Sequence, residues 1–547
     1  METAMHTTTA KKVLSVRPVG TRAVLAELDG LQDVLALQDM LYKSPLPGQV
    51  DVLAAAETVM VVGESAAATR AIGARLLELE LTVPEVTDSG LVVIDTVYDG
   101  DDLADVAELT GLSVDGVIAA HTGQVWTVAF AGFAPGFGYM VGENEVLTVP
   151  RRSSPRTAVP AGSVALGGQY SAVYPRRSPG GWQLIGRTGA RMWDLNRPQP
   201  ALVRPGDRVQ YRAVREVVTA SAHDSDADSD HHTGPGLRIL NPGALSLIED
   251  LGRRGFGPLG VSAAGALDRA SLRRSNRLVG NAPSAAAIES VNGGLTVEAV
   301  GDQVLAVTGA PTTLTVQSPS WFDDDGDEVS PGGQRTVPMA APFALLDGEV
   351  LTLGAPESGF RNYVAIRGGV DVPEVLGSRS ADTMSGIGPA PLVIGQELPA
   401  GDATESTAVG SPELQPGFPD EGVTVLDVVP GPRADWFDQA ALDSLTSQDW
   451  LVTPQSNRVG MRLDGTPLKR TREGELPSEG TMAGALQIPP AGLPVLFLAD
   501  HPITGGYPVI GVVRDEHLDR AAQVPIGGRI RFRFVHDSPD FSTTPEK

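Results

Sequence analysis

Two nine-residue stretches decide the fold: GDRVQYRAV, residues 206–214, and GGRIRFRFV, residues 527–535. In each, a glycine turn leads into alternating apolar and polar side chains, the period of a half-buried strand. The first stretch stands shortly before SAHDSDADSDHHTGPG, residues 221–236, and the second lies near the end of the chain. That segment is polar and low in complexity. Alternating Asp and Ser has no fixed ligand geometry and cannot bury a core, so it reads as a solvated linker and not as a metal site. Each half therefore closes on a similar edge, and the chain reads as two related β-rich modules joined by a tether.

The composition agrees. A chain of 547 residues is too long for one core and predicts three or four units. Its 63 Gly and 43 Pro favour short strands and turns over long helices. A net charge of −25 speaks against binding nucleic acid or an anionic membrane surface. There is no cysteine, which excludes disulfides, thiolate metal sites and Cys nucleophiles. No signal pattern opens the chain and no apolar run approaches the ~18 residues of a membrane span, so a cytoplasmic protein is expected.

Residues 13–100 read as an α+β unit. VLSVRPVG, TRAVLAEL and TVMVVG have strand character, as does LVVIDTVYD, while LQDVLALQDML and AAATRAIGARLLELEL carry helical spacing. Residues 101–218 begin with two short helices, the second capped by Ser113, and continue as strands and turns. After a linker over 219–236, residues 237–537 hold one helix, capped by Asp268 and stopped at Gly280-Asn281, and otherwise strand and turn. WFDDDGDEVSPGG, residues 321–333, reads as a hairpin connection.

Several motifs carry candidate chemistry. His121 falls at the end of a predicted helix, where the dipole favours a protonated imidazole; acid/base or anion-binding work stands beside a plain capping role. FAGFAPGFGYM, residues 130–140, is glycine-rich and aromatic in a chain with only 5% aromatics. Phe133, Pro135, Gly136, Phe137 and Tyr139 are candidates for a pocket wall, against a loop folded on its own rings. Arg152, Arg156 and Arg187 cluster where acidic residues are few, and Gly180-Gly181 could add backbone N–H groups to an anion site. In the second half EDLGRRG places Asp250 three residues before Arg253. PSEGTMAGALQIPP carries Ser478 and Glu479, and DHPITGGYPVI carries Gly505, Gly506 and Tyr507. No phosphate-loop motif, biotinyl-lysine motif, HExxH or GxSxG occurs.

Together, His121, GFAPGFGYM, PRRSSPR, PAGSVALGG and SPGGWQLIGRT resemble the B subunit of 5-oxoprolinase, also called allophanate hydrolase subunit 1 or the Kip inhibitor family. EDLGRRGFGPLGVSAAGALD, NRLVGN, NRVGMRLDGTPL, SEGTMAGALQIPPAGLPV and TGGYP resemble its C subunit, the allophanate hydrolase subunit 2 or Kip-antagonist family. The chain is thus similar to a fusion of the two. It departs from the family's pattern at Glu249, where Gln is usual, at Asn457, at SGIGPAPL and at His501, where Arg is common. The resemblance implies a mainly β fold with cyclophilin-like β-barrels in both halves, two of them related units in the second, and an α+β N-terminal domain. It implies ATP-dependent opening of 5-oxoproline with a separate A component, the lactam hydrolase. It further implies ATP and Mg2+ as cofactors, a small-molecule substrate and no covalent biotin on this chain. His121, Arg187, Glu479 and Asp250 would then be catalytic, and Phe133, Pro135, Gly136, Phe137, Tyr139, Arg152, Arg156, Gly180, Gly181, Arg253, Ser478, Gly505, Gly506 and Tyr507 substrate-binding. The same modules are similar to the carboxyltransferase part of urea carboxylase, and the Kip names imply a third reading as a histidine-kinase-binding regulator. Assembly into a homo-oligomer is left open.

Overall fold

The computed structural model describes residues 11–81, 90–216, 234–322, 328–330, 332–420, 422–474 and 476–535. Residues 219–233 of the expected linker lie outside them.

The N-terminal unit is a four-stranded antiparallel sheet in the order Ser15–Val19, Ala23–Glu27, Thr58–Gly63, Gln49–Ala54. Strand alternation gives the sheet two apolar faces. Val24, Ala26, Val52, Val59 and Val61 share a core with helices Leu31–Lys43 and Ala66–Glu78. Ala23, Leu25, Leu53 and Met60 point the other way and pack on Val429, Ala485, Val509 and Val512 near the C-terminus. The first and last units of the chain are therefore neighbours in space.

Next comes a seven-stranded sheet in the order Gln183–Arg187, Ser163–Gly167, Tyr170–Val173, Gly138–Val141, Trp126–Ala131, Arg208–Ala213, Val92–Thr96. A bridge between Val97 and Arg187 closes its ends into a barrel. Strand Val92–Thr96, expected in the N-terminal unit, belongs to this barrel, because the closing strand Arg208–Ala213 lies parallel to it. The last unit is a closed barrel of seven strands: Val423–Pro430, Val509–Val513, Ala485–Gln487, Val495–Phe497, Gly460–Asp464, Trp450–Val452, Arg529–Phe534. Rewritten in chain order, the two barrels have one strand order. In both, the closing strand runs parallel to the opening strand and antiparallel to the strand after the helix.

Between them, two sheets face each other across a common core that includes Ile239, Val297, Leu351, Ile288, Val307 and Val364. One has six strands and the other five. Helix Arg269–Val279 packs on the five-stranded sheet through Leu272, Leu278 and Val279. Asp268 caps it by accepting from Ser271 N at 2.9 Å, and Gly280 ends it in the left-handed region. The second half thus pairs a two-sheet unit with a closed barrel, and the barrel's match in strand order lies in the first half. Helices Gln439–Ser447 and Asp515–Ala522 interrupt what reads in sequence as strand and turn. Strands Trp321–Phe322 and Glu328–Ser330 form the expected hairpin.

Candidate functional site: an arginine-lined cleft

A cleft opens where the N-terminal sheet, the two-sheet unit and the last barrel meet. It has two lobes, of about 260 Å3 and about 140 Å3, which share Arg22, Arg254, Arg269, Ala483, Asp515 and Leu518. Arg22 sits in the turn between the first two strands of the N-terminal sheet. Arg269 and Arg273 are one helical turn apart and present one face. Asp51 holds the loop bearing Arg254 against the N-terminal sheet, accepting from Gly255 N at 3.2 Å and Gly257 N at 3.3 Å. Burial pushes the Asp51 carboxyl up. Asp519 accepts from Arg269 N at 2.8 Å and fixes the start of the helix. Burial, and then the neighbouring Asp268, raise its carboxyl to about 6.

Arg22, Arg254, Arg269 and Arg273 line the larger lobe together with Asp515, Glu516 and Asp519. Arg22 pairs with Asp515 at 3.0 Å, and Arg514 pairs with Glu516 at 2.6 Å. Arg254, Arg269 and Arg273 line the larger lobe without a hydrogen-bonding or ion-pairing side-chain partner among the described residues. Burial, and then repulsion from Arg22 and Arg273, lower the pKa of Arg254 against the pull of Asp515, yet a guanidinium stays charged. Three converging guanidiniums can bind a carboxylate or phosphate by paired, charge-assisted hydrogen bonds. The smaller lobe is walled by Leu53, Met60, Val62 and Ile503, with Asp51, Thr481 and His501 as polar groups beside the shared arginines and Asp515.

The residues singled out in the sequence lie elsewhere. His121 is a core residue, fully buried, with Nδ1 at 2.7 Å from Tyr98 Oη and Nε2 at 2.9 Å from Ser171 Oγ. Burial lowers its pKa to about 3, so the ring is neutral where a charged helix-end histidine was expected. The second barrel explains the position: Trp126 Nε1 donates to His121 O, and Trp450 Nε1 donates to Leu445 O in the same way. The histidine occupies a core site that holds leucine in the other copy.

The first-half arginine cluster is already paired. Arg152 and Arg156 both bind Asp102, at 2.5 and 2.8 Å, and Arg187 binds Asp99 at 2.8 Å. The expectation of a free anion site counted only nearby acids; the barrel brings Asp99 and Asp102 from the strand-to-helix connection. Gly180 pairs with Arg156 in a short ladder and Gly181 O accepts from Arg152 N. The aromatic loop is an interdomain core and not a pocket wall. Phe137 meets Tyr139, Tyr174 and Trp182 edge-on within 5.5 Å, and Phe133 packs on the same cluster. Beyond Pro135, Gly136 N donates to Leu259 O at 3.2 Å, joining the halves.

In the second half, Glu479 is buried against Arg433, whose Nη1 also reaches Glu27 at 2.6 Å. This pair is the counterpart of Asp102–Arg156 with its charges exchanged. Asp102 N donates to Leu184 O and Arg433 N to Val509 O, while Arg156 and Glu479 pair with Gly180 and Gly505. Ser478 O accepts from Ala56 N, tying down the N-terminal unit. Gly506 follows that ladder, and Tyr507 is 43% exposed near Arg470. Asp250 accepts from Ser378 Oγ, Arg379 N and Ser380 Oγ, and Arg253 donates to Val375 O and Ser380 O. They hold a loop rather than each other. The sequence reading passed over Arg22, Arg254, Arg269 and Arg273, although an i, i+4 arginine pair on a helix with an apolar opposite face was a usable signal.

The family model of the carboxyltransferase domain, subdomain A and B, matches residues 259–534, and that of subdomain C and D matches residues 14–203. The chain is 38% identical over 301 residues to the C subunit of 5-oxoprolinase from Escherichia coli K12, covering 54% of this chain and 90% of that one. It is 45% identical over 144 residues to the B subunit of 5-oxoprolinase from Escherichia coli O157:H7, covering 26% of this chain and 65% of that one. The crystal structure of TTHA0988 superposes with a TM-score of 0.80 at 31% identity, over 94% of this chain and 99% of that one. The chain belongs to the carboxyltransferase-domain family, as a half like the 5-oxoprolinase B subunit and a half like the C subunit joined in one polypeptide.

Proposed function

We propose that the chain is the fused B and C component of an ATP-dependent 5-oxoprolinase, which opens the lactam 5-oxoproline to glutamate together with a separate A component. The observation that carries this reading is the cleft: three guanidiniums with no hydrogen-bonded or ion-paired side chain among the described residues, in a chain of net charge −25. The names of the relatives, the B and C subunits of 5-oxoprolinase, support it. A lactam is a poor electrophile, and its activation builds negative charge on the carbonyl oxygen. Arg254, Arg269 and Arg273 are set to hold anionic groups and stabilise such charge. The same donors fit the phosphates of ATP, which when bound would supply the phosphoryl group that activates the lactam oxygen. No cluster of three or more His, Asp or Glu side chains suited to a metal occurs among the described residues, so Mg2+ would arrive on the nucleotide. A cytoplasmic location follows from the use of ATP; among the described residues no helix is long and apolar enough to cross a membrane.

The test is 5-oxoproline-dependent release of ADP and glutamate by the purified chain with and without the A component. Turnover is expected only with both, and Arg273→Gln should raise KM about 10-fold by removing a charge-assisted contact. Absence of turnover with an A component that works with its own B and C partners would overturn the reading. The family name supports a second one, a carboxyltransferase acting with a biotin carrier. It predicts carboxyl transfer from carboxybiotin that needs no A component.

A further inference from the structure

We infer that His501 reads the N–H group of the ligand: Nε2 accepts a hydrogen bond from a lactam or amide N–H while the ligand's anionic group lies on Arg254 and Arg269. This deepens the proposed function and rests on the cleft being the substrate site.

The tautomer follows from the geometry. His501 Nδ1 lies 2.9 Å from Pro502 O, and a carbonyl oxygen can only accept, so Nδ1 carries the hydrogen. Nε2 is then a bare lone pair, with no hydrogen-bond partner among the described residues. The ring is only 7% exposed and lines the smaller lobe. Phe497 stacks on it at 5.8 Å and 19° between planes, which fixes its orientation. Burial lowers its pKa; Asp382 opposes this and Arg269 adds to it. This neutral acceptor borders the open smaller lobe and is available to a ligand N–H.

The two lobes together describe the ligand. Arginines at their junction take a carboxylate or phosphate, and the lobe of about 140 Å3 offers apolar walls with the bare ring nitrogen of His501, its other polar side chains Asp51 and Thr481 being already bonded to backbone groups. A small acid amide, with an anion at one end and an N–H on a compact apolar frame, meets all three features. Inorganic phosphate meets only the first. The lactone analogue of 5-oxoproline, with ring oxygen in place of N–H, meets the first two and places a lone pair against Nε2.

Two measurements on the intact chain test the inference. Diethyl pyrocarbonate acylates unprotonated imidazole nitrogen, and peptide mass mapping locates the product. Modification of His501 is expected at neutral pH, with protection by pyrophosphate held in the adjoining lobe and no modification of His121. An unreacted His501, or one that pyrophosphate leaves unprotected, overturns the inference whatever the natural substrate is. Calorimetric titration supplies the second arm. Wild type should bind 5-oxoproline about 10-fold more tightly than the lactone, and His501→Leu should bind the two equally. Equal binding by wild type would sink the role of His501 and leave the cleft intact as the substrate site. Binding of neither ligand, with His501 still modified and protected, would instead remove 5-oxoproline as the substrate.

Discussion

The Glu249→Gln exchange tests the buried electrostatics that join the two-sheet unit to the last barrel. Arg458 is 2% exposed and lies 3.1 Å from Glu249, 2.6 Å from Glu289 and 3.0 Å from Asp500. Arg361 approaches Glu289 at 3.6 Å. Two guanidiniums thus face three carboxyl groups, and full ionisation would leave one negative charge uncompensated in the interior. Glu249 is fully buried and its only close cation is Arg458 among the described residues. Burial, together with Glu289 and Asp500, pushes its carboxyl well above the usual value against the pull of Arg458. Burial thus favours the protonated form of Glu249 over the charged one, and glutamine is the isostere of that form. A folded-state pKa raised above the unfolded one gives stability that is full below the unfolded value and is lost as pH rises toward the folded value. Within that window the loss reaches about 1.4 kcal/mol per pH unit. From pH 5.5 to 7.5 the wild type should then lose stability relative to Glu249→Gln, at no more than that rate. Urea-unfolding midpoints of the two proteins, measured side by side across this range, should converge at the acid end and diverge toward pH 7.5 in favour of the variant. Parallel curves, or a variant weaker at every pH, would show that Glu249 is an ionised member of the cluster.

Three further outcomes follow from the placement of the sequence-derived candidates. His121→Leu should keep turnover while lowering stability by about 1–3 kcal/mol, because the hydroxyls of Tyr98 and Ser171 lose a buried partner. Because burial depresses the pKa of His121, wild-type stability should fall from the ordinary value of 6.5 down to about 3, and comparing acid-unfolding curves should show this component missing from the variant. Arg433→Met strands Glu27 and Glu479 without their shared cation. It should cost about 3–5 kcal/mol and speed amide exchange in strands Ala23–Glu27 and Thr58–Gly63. Arg187→Gln should leave ligand affinity within about 2-fold of wild type, since Arg187 is 54% exposed and already bound to Asp99; a larger loss would return the first-half arginines to the binding site.

Local order was legible where it rested on period and caps. The alternation in residues 206–214 and 527–535 marks the closing strands of two barrels that share one strand order. The Ser113 and Asp268 caps form as read, accepting from Gly116 N and Ser271 N. The site was far less legible, for a physical reason. Asp102 meets Arg156 across 54 residues and Arg433 meets Glu27 across 406, so a count of nearby acids could not tell a paired arginine from a free one. The cleft draws Arg22, Arg269 and His501 from three separate units. Even His121 sat where a catalytic residue could stand, and only the matching Trp126 and Trp450 contacts show it to be a core position.

The central claim is that Arg254, Arg269 and Arg273 form the anion site and that the first-half arginines do not. A crystal of the chain soaked in pyrophosphate tests it most directly. The account predicts density for the anion between Arg254, Arg269 and Arg273, with Arg152 and Arg156 still on Asp102. An empty cleft with the anion seated among Arg152, Arg156 and Arg187 would contradict it.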